Sequence, residues 1–204
     1  MTAANSRQAG LPGTPPPVTE AELRALRDRL AERADAAGLL DVACRTIDTP
    51  LGLLLLAATP QGLVRVAYAS EDHNAVLAVL AARISPRILN APRRLDGPAR
   101  ELEEYFAGAR RAFDLPLDLR LAAGFRRAVL RHLPGIGYGH TASYAAVAAA
   151  AGSPRAVRAV GTACATNPLP IIVPCHRVIR SDGSPGRYLG GPVAKQLLLN
   201  LEAA

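Results

Sequence analysis

The chain has 204 residues, of which 50% are hydrophobic, so it can bury one large core or two small ones, and we expect two modest domains. The net charge of +7 is uneven, because residues 121–204 hold nine of the 24 lysines and arginines but two of the 17 acids. This basic C-terminal part favours a polyanion such as nucleic acid as its partner, with a solvated basic surface as the alternative.

Three cysteines, Cys44, Cys164 and Cys175, are odd in number and widely separated. Neither a disulfide framework nor a CxxC metal site fits this spacing. None of the three cysteines lies at zinc-ligand spacing from His73, His132 or His140. We expect no metal, no cofactor and a reducing cytoplasm. The sequence has no basic-then-apolar leader and no apolar run near the roughly 18 residues of a membrane span, so we expect no membrane contact.

The first 38 residues are predicted to be a flexible tail, 1–18, followed by an extra helix, 19–38. The tail is rich in proline and poor in large apolar residues. Thr19 and Glu22 stand at capping-box spacing, which is typical of a helix start. Leu23, Leu26 and Leu30 share one face of this helix, so we expect that face to dock on the rest of the protein.

Residues 41–120 predict a small domain of sheet and helix. The strand-like runs are 51–57, 63–68 and 113–117, and the helical patterns are 74–84 and 98–107. Apart from Cys44 and His73 the segment offers no nucleophile, base or metal cluster. We therefore predict a scaffolding role for it.

Residues 121–204 predict short helices with tight turns between them. The helical patterns are 125–133, 144–151, 155–166 and 192–201. Ser143 is placed to cap the second of these helices, Gly152 to close it, and Ser153-Pro154 to start the third. Two short helices joined in this way indicate a helix-turn-helix. In the last helix we expect Val193, Leu197, Leu198 and Leu201 to be buried.

Cys175 and His176 stand side by side in the apolar run 171–179, and Arg177 follows them. A cationic or basic neighbour favours the thiolate, so Cys175 is a candidate nucleophile. The alternative is a buried structural cysteine, because free cysteine is among the most buried residue types.

The segments around this pair resemble a known family. Asn167-Pro168-Leu169-Pro170 precedes Pro174-Cys175-His176-Arg177-Val178, and the glycine-rich stretch 183–191 follows. Together they resemble the O6-alkylguanine-DNA alkyltransferases, from residue 125 to 202 and more loosely back to about residue 49. The resemblance implies an α+β protein: a small RNase H-like sheet-and-helix domain, then a mainly helical, winged-helix-like DNA-binding domain that carries the active cysteine.

The implied function is direct reversal of DNA damage. The protein would flip O6-alkylguanine, with O4-alkylthymine as a further candidate, out of double-stranded DNA and transfer the alkyl group irreversibly to Cys175. By resemblance a relay runs from Glu202 through His176 and a water to Cys175, Tyr144 donates to a ring nitrogen of the leaving guanine, and Arg177 is structural. The alternative for Tyr144 is an aromatic that only packs the helix. A monomer is expected.

The resemblance also assigns a DNA-contacting helix. Arg158 would enter the duplex in place of the flipped base, and Arg155, Ala156 and Ala159 would line the same face, whose small residues allow close approach to the minor groove. A surface arginine that contacts only phosphate is the alternative for Arg158.

By the same resemblance five residues would form the substrate pocket, namely Asn167, Pro170, Val178, Tyr188 and Leu189. Asn167 also matches the family's hinge asparagine, whose side chain ties the turn that follows the DNA-contacting helix. Residues 183–191 would form a lid over the base. Arg187 stands where the family often has a small residue, and we expect it to alter which alkyl groups fit.

Two other functions compete with this reading. The first is a non-catalytic binder of damaged DNA with the same fold, although the family's inactive relatives lack the cysteine and Cys175 is present. The second is a cysteine hydrolase, which lacks an argument for an oxyanion hole and whose catalytic residues are rarely sequence neighbours. Alkyl transfer from DNA to the protein would distinguish the proposed function from both.

Overall fold

A computed structural model describes residues 18–203, so the predicted tail lies outside the described residues except for Val18. The first helix, α1 (Glu20–Ala36), begins with the predicted capping box. The Thr19 hydroxyl accepts from the Glu22 amide at 3.2 Å, and the Glu22 carboxylate accepts from the Thr19 amide at 2.8 Å. Two donors of the first helical turn, which have no partner within the helix, are therefore satisfied.

The prediction that the leucine face of α1 docks on the protein is wrong. Leu26 and Leu30 are 50% and 56% exposed, whereas Ala31 is buried. The side of α1 that carries Ala31 therefore packs against the protein, and ion pairs of Arg93 with Glu32 and of Arg94 with Asp35 form there. Small side chains allow the helix to lie close to the protein, and this favours the alanine side over the larger leucines.

The N-terminal domain is built on a four-stranded mixed sheet. Its strands are β1 (Val42–Ile47), β2 (Leu54–Thr59), β3 (Gly62–Tyr68) and β4 (Ile88–Asn90). The order is β3-β2-β1-β4, with β4 parallel to β1 and the other pairs antiparallel. The hairpin of β2 and β3 was predicted, although β2 begins at Leu54. Strands β1 and β4 were missed.

Each face of this sheet has its own apolar cluster. On one face Val76 and Leu80 of α2 (His73–Arg83) pack against the strands. On the other face α3 (Asp96–Phe106) contributes Leu102 and Tyr105 to a core that continues into the C-terminal domain. The predicted helices 74–84 and 98–107 correspond to α2 and α3.

The predicted strand 113–117 does not form. A single bridge joins Leu63 to Leu117, with the Leu63 amide donating to the Pro116 carbonyl at 2.8 Å. Proline has no amide hydrogen to continue a ladder. At Gly62, whose φ is +136°, a Cβ atom would lie 2.1 Å from the Pro116 oxygen, so this approach of the two chain segments requires glycine.

The C-terminal domain contains four helices and one small parallel sheet. The helices are α4 (Gly124–His132), α5 (Tyr144–Ala150), α6 (Val157–Ala165) and α7 (Gly191–Ala203), and the strands are β5 (Ala142–Ser143) and β6 (Val178–Ile179). Together with the mixed sheet they confirm the predicted α+β class.

Two predictions in this domain need correction. Helix α6 begins at Val157 and not at residue 155, because the Ala156 amide donates to the Ser153 carbonyl at 2.9 Å and closes a turn first. In α7 the predicted core residue Val193 is 79% exposed. Leu198 is buried as predicted, and Ala194 and Lys195 are buried with it, so the buried side of α7 carries a charged residue that an apolar pattern does not reveal.

The edge strand β3 joins the two domains. The Val66 amide donates to the Pro168 carbonyl at 2.9 Å, and the Arg65 guanidinium donates to the same oxygen at 3.2 Å. An edge strand exposes unpaired amides, and here the C-terminal domain uses one of them. The N-terminal sheet is therefore attached directly to the residue that follows Asn167.

Candidate active site

A buried turn leads into the cysteine. Asn167 is 0% exposed, and its side chain accepts from the Leu169 amide at 3.0 Å and donates to the Val173 carbonyl at 2.8 Å. Ile171 has a φ of +74°, which is uncommon for a β-branched residue and is held here in a buried position. The part of the apolar run that precedes Cys175 is therefore a turn stabilised by Asn167.

Asn167 also contacts the candidate nucleophile. Its Nδ2 atom lies 3.1 Å from the Sγ atom of Cys175, which is 1% exposed. An amide N–H donor at this distance stabilises a sulfur that carries negative charge. The residue predicted as a hinge is thus in direct contact with the thiol.

Cys175, His176 and Arg177 form one turn of 3-10 helix, so the cysteine and histidine are not extended. Nε2 of the fully buried His176 lies 2.8 Å from Oε1 of Glu202. A carboxylate only accepts hydrogen bonds, so Nε2 carries the hydrogen. Nδ1 of His176 is buried and has no hydrogen-bond partner among the described residues.

The Glu202 carboxylate is the centre of a network of donors. Oε1 accepts from Tyr105 at 2.6 Å, from His176 at 2.8 Å and from Arg177 at 2.9 Å, and Oε2 accepts from Arg177 at 2.8 Å and from the Gly139 amide at 3.3 Å. Glu202 is 5% exposed. Its helix end is therefore anchored inside the protein, which contradicts a frayed terminus near solvent.

These contacts set the protonation of the network. Burial alone would raise the pKa of Glu202, but hydrogen bonds from His176 and Arg177 outweigh burial and lower that pKa to about 2. Burial lowers the pKa of His176, although the hydrogen bond that His176 donates to Glu202 acts in the opposite direction. At neutral pH we therefore expect an ionised Glu202 and a neutral His176.

The thiol is protonated in the closed site. Burial raises the pKa of Cys175 to about 11, although the hydrogen bond from Asn167 and the charge of Lys195 act in the opposite direction. Burial likewise raises the pKa of Cys164 to about 12, so this second buried cysteine is less acidic still. A nucleophilic role for Cys175 therefore requires that its proton first be removed.

Lys195 is a site residue that the sequence analysis missed. It is 0% exposed, and its ammonium group donates to the Val178 carbonyl at 2.6 Å and to the Pro185 carbonyl. The lysine joins strand β6 to the lid. Burial lowers its pKa, while the charge of a Cys175 thiolate raises it.

The lid segment 183–191 contacts Tyr144, and its own Tyr188 contacts His176. A Cβ atom on Gly186 would be 2.7 Å from the Tyr144 hydroxyl, so Tyr144 packs directly on the lid backbone. The rings of Tyr188 and His176 meet edge to face with centroids 6.3 Å apart. Arg187 is exposed, and its side chain makes no hydrogen bond within residues 18–203.

The remaining pocket residues lie beside the same turn. Pro170 and Val178 are buried, and Leu189 is half-buried next to Tyr188 in the lid. Of the predicted pocket residues, Asn167 contacts the Cys175 sulfur, and the Tyr188 ring meets the imidazole of the neighbouring His176.

The predicted DNA-contacting residues lie apart from the thiol, at the start of α6. Arg158 is exposed on the first turn, and its guanidinium makes no hydrogen bond or ion pair within the described part of the chain. Arg155 is exposed in the preceding turn, and Ala156 and Ala159 are half-buried. Within residues 18–203 this corner offers two exposed cations, Arg155 and Arg158, beside small side chains.

Two phenols of the N-terminal domain were also missed as site residues. Tyr105, on the predicted helix 98–107, was given no site role, yet it donates to Glu202. Tyr68 at the end of β3 lies 2.8 Å from the hydroxyl of Tyr188. The predicted scaffolding role is therefore incomplete, and no local sequence signal identifies these long-range contacts.

Within residues 18–203 no group of three or more His, Cys, Asp or Glu side chains is placed to hold a metal ion. None of the helices in that range has both the length and the apolarity needed to cross a membrane.

Comparisons with known proteins agree with this geometry. Residues 42–119 match the ribonuclease-like domain of the 6-O-methylguanine DNA methyltransferase family, and residues 124–204 match its DNA binding domain. A methylated-DNA–protein-cysteine methyltransferase of Mycolicibacterium paratuberculosis is 40% identical over 78% of this chain and 90% of the relative. The constitutive enzyme of that name from Bacillus subtilis is 39% identical over 77% and 93%.

Solved structures give the same result. The crystal structure of Mycobacterium tuberculosis O6-methylguanine methyltransferase has a TM-score of 0.70 at 38% identity and covers 79% of this chain and 93% of its own. That of Mycobacterium tuberculosis OGT in complex with DNA has a TM-score of 0.66 at 38% identity and covers 78% and 92%.

Replacing Lys195 with methionine tests its effect on the thiol. Loss of the buried cation removes a charge that stabilises the thiolate and frees the lid carbonyl, so the pKa of Cys175 should rise above about 11. Ultraviolet titration of the thiolate, in a chain with Cys44 and Cys164 replaced by serine, measures this pKa. Gln196→Met, on the exposed side of the same helix, is the control, and equal titration curves for the two variants would contradict the role of Lys195.

Proposed function

Because the chain belongs to the 6-O-methylguanine DNA methyltransferase family, we propose that it repairs duplex DNA by moving the alkyl group of O6-alkylguanine onto Cys175 in a single irreversible turnover. One observation carries this proposal. The Cys175 sulfur lies against the Asn167 amide, and the next residue, His176, is held by an ionised carboxylate. A nucleophile and a base are thus adjacent in a buried site.

The reaction needs a soft nucleophile at carbon. The Cys175 sulfur forms a bond to the alkyl carbon as the bond from that carbon to O6 breaks, and the electron pair passes to the guanine. The Tyr144 hydroxyl, which packs on the lid, donates to a ring nitrogen of the guanine as its charge develops. The thioether product has no leaving group, so the protein reacts once.

The thiol proton must leave during this step. Since Nε2 of His176 donates to Glu202, Nδ1 carries the lone pair, and it has no other protein partner within the described residues. We propose that a water carries the proton from Cys175 to Nδ1, and that Glu202 stabilises the resulting imidazolium. In the net reaction the thiol proton replaces the alkyl group on the guanine.

DNA binding is proposed to centre on α6. The free guanidinium of Arg158 fills the space left by the flipped base and offsets part of the few kcal/mol that flipping costs. Arg155 contacts phosphate, and the small side chains of Ala156 and Ala159 allow the helix to approach the minor groove closely. The basic C-terminal domain makes this binding mainly independent of sequence.

The transfer reaction is tested by mass spectrometry of the protein after incubation with duplex DNA that contains O6-methylguanine. We expect one methyl group per chain, located on Cys175, and none on the Cys175→Ala variant. Cys44 and Cys164 are buried thiols without the His176 and Glu202 partners, so they should stay unmodified. Repeated turnover, methylation at either of these cysteines, or binding without transfer would contradict the proposal.

The role of Arg158 is tested by comparing substrates that do and do not require flipping. Arg158→Ala should slow transfer from duplex DNA by at least about tenfold and leave transfer from free O6-benzylguanine unchanged, because the free base is not stacked. Arg131→Ala removes an equal charge from the exposed side of α4 and serves as the control. Equal duplex rates for the two variants would limit Arg158 to phosphate contact.

Single-turnover rates across pH test the relay. Glu202→Gln removes the charge that stabilises a protonated His176, so the apparent pKa of Cys175 should rise. The rate at neutral pH should then fall by about tenfold or more, and the difference from wild type should narrow at high pH, where the thiolate forms without help. Superimposable profiles would mean that Glu202 takes no part in activation.

The stability of Glu202→Gln is a separate test of the same network. Glu202→Gln leaves the buried Arg177 without its carboxylate, which should cost about 3–5 kcal/mol. In the wild type the folded pKa of Glu202 is about 2, below its ordinary value of 4.5, so its contribution is complete above pH 4.5 and is lost as pH falls toward 2. Unfolding of Glu202→Gln should lack this acid-dependent loss.

A further inference from the structure

Tyr68, the last residue of β3, reaches from the N-terminal domain to the lid. Its side chain is buried, and its hydroxyl lies 2.8 Å from the hydroxyl of Tyr188. The two rings meet edge to face at 74° with centroids 6.1 Å apart. The other neighbour of the Tyr188 ring is the imidazole of His176. One lid tyrosine is therefore held between the N-terminal domain and the relay histidine.

The ring of Tyr68 also packs on the lid backbone. A Cβ atom on Gly190 would lie 2.6 Å from the Tyr68 ring, so only glycine allows this contact. Together with the hydroxyl pair, this contact fixes the lid at two points, Tyr188 and Gly190. A third contact of the lid with a tyrosine lies at Gly186, where Tyr144 packs.

Tyr68 is itself held in place. Its amide donates to the Glu71 carboxylate at 2.9 Å, Glu71 pairs with Arg65, and Arg65 donates to the Pro168 carbonyl at 3.2 Å. Pro168 follows Asn167, the residue that contacts the thiol. Strand β3 thus contacts both the turn that leads into Cys175, through Arg65, and the lid, through Tyr68.

We propose that Tyr68 is a positioning residue of the N-terminal domain that sets the width of the alkyl pocket by holding Tyr188 and Gly190 over Cys175. The inference rests on the proposed alkyl transfer to Cys175. With Tyr68 in place the lid is held at a fixed distance from Cys175, which leaves room for a small alkyl group. Without the Tyr68 ring the lid loses this support, and the pocket accepts a larger alkyl group.

The protonation of the two phenols agrees with a lasting contact. Burial raises the pKa of Tyr68 and also that of Tyr188, so both hydroxyls keep their protons at neutral pH and one donates to the other.

The test compares single-turnover transfer of methyl and benzyl groups from O6-alkylguanine in the same duplex. Tyr68→Phe removes only the hydroxyl contact and should slow methyl transfer by about two- to tenfold. Tyr68→Leu also removes the ring and should raise the ratio of benzyl to methyl rates by at least about threefold, because substrate discrimination in a pocket depends on its fit. A purely structural role would lower both rates together and leave this ratio unchanged.

Two further variants make the result specific. Val64→Ala lies on the same strand but in the cluster on the opposite face, so it should destabilise the domain and leave the ratio at the wild-type value. The double variant Tyr68→Phe/Tyr188→Phe should transfer the methyl group no more slowly than the slower of the two single variants, because each substitution removes the same hydrogen bond.

Additive losses of transfer rate in the double variant, or an unchanged ratio of benzyl to methyl rates in Tyr68→Leu, would overturn the inference. If instead the wild-type protein left Cys175 unmodified, the proposed function itself would fail, and the two outcomes are therefore distinguishable.

Discussion

The active site depends on one buried carboxylate. Glu202, one residue from the end of the last described helix, accepts hydrogen bonds from Tyr105, His176, Arg177 and the Gly139 amide. A buried carboxylate is costly unless it is paired and fully hydrogen-bonded, and here both conditions are met. The same group holds the N-terminal domain through Tyr105, orients the histidine and neutralises the buried arginine. Removing it would therefore affect the fold and the chemistry together.

This network explains how a deeply buried thiol can react. Burial raises the pKa of Cys175 to about 11, and a protonated thiol is a poor nucleophile toward unrelated electrophiles. In the proposed mechanism, proton transfer to His176, with stabilisation by Glu202, would produce the thiolate when a substrate is bound. Asn167 and Lys195 then stabilise the charge on sulfur from two further directions. In this account reactivity depends on coupled proton transfer and not on a permanently lowered pKa.

The sequence predicted those parts whose signals are local. The capping box of α1, the β2–β3 hairpin and the Ser143 cap of α5 each depend on residues a few positions apart, and all three appear in the structure. Strand β1 was missed because Arg45 and Thr46 interrupt its apolar pattern. The contacts of Tyr68, Tyr105 and Lys195 were missed because each joins distant segments, and a buried lysine on α7 resembles a surface residue in the pattern. Family resemblance located Cys175, His176 and Glu202, whereas their hydrogen bonds and the resting protonation required the structure.

The central claim is that the resting site holds a neutral thiol beside a neutral, oriented imidazole. Nitrogen-15 NMR of His176 at neutral pH tests this most directly, because the shifts of the two ring nitrogens report which of them carries hydrogen. The account predicts a neutral ring with hydrogen on Nε2, donating to Glu202, and a bare Nδ1. An imidazolium with hydrogen on both nitrogens in the substrate-free protein would show a preformed thiolate–imidazolium pair and contradict the account.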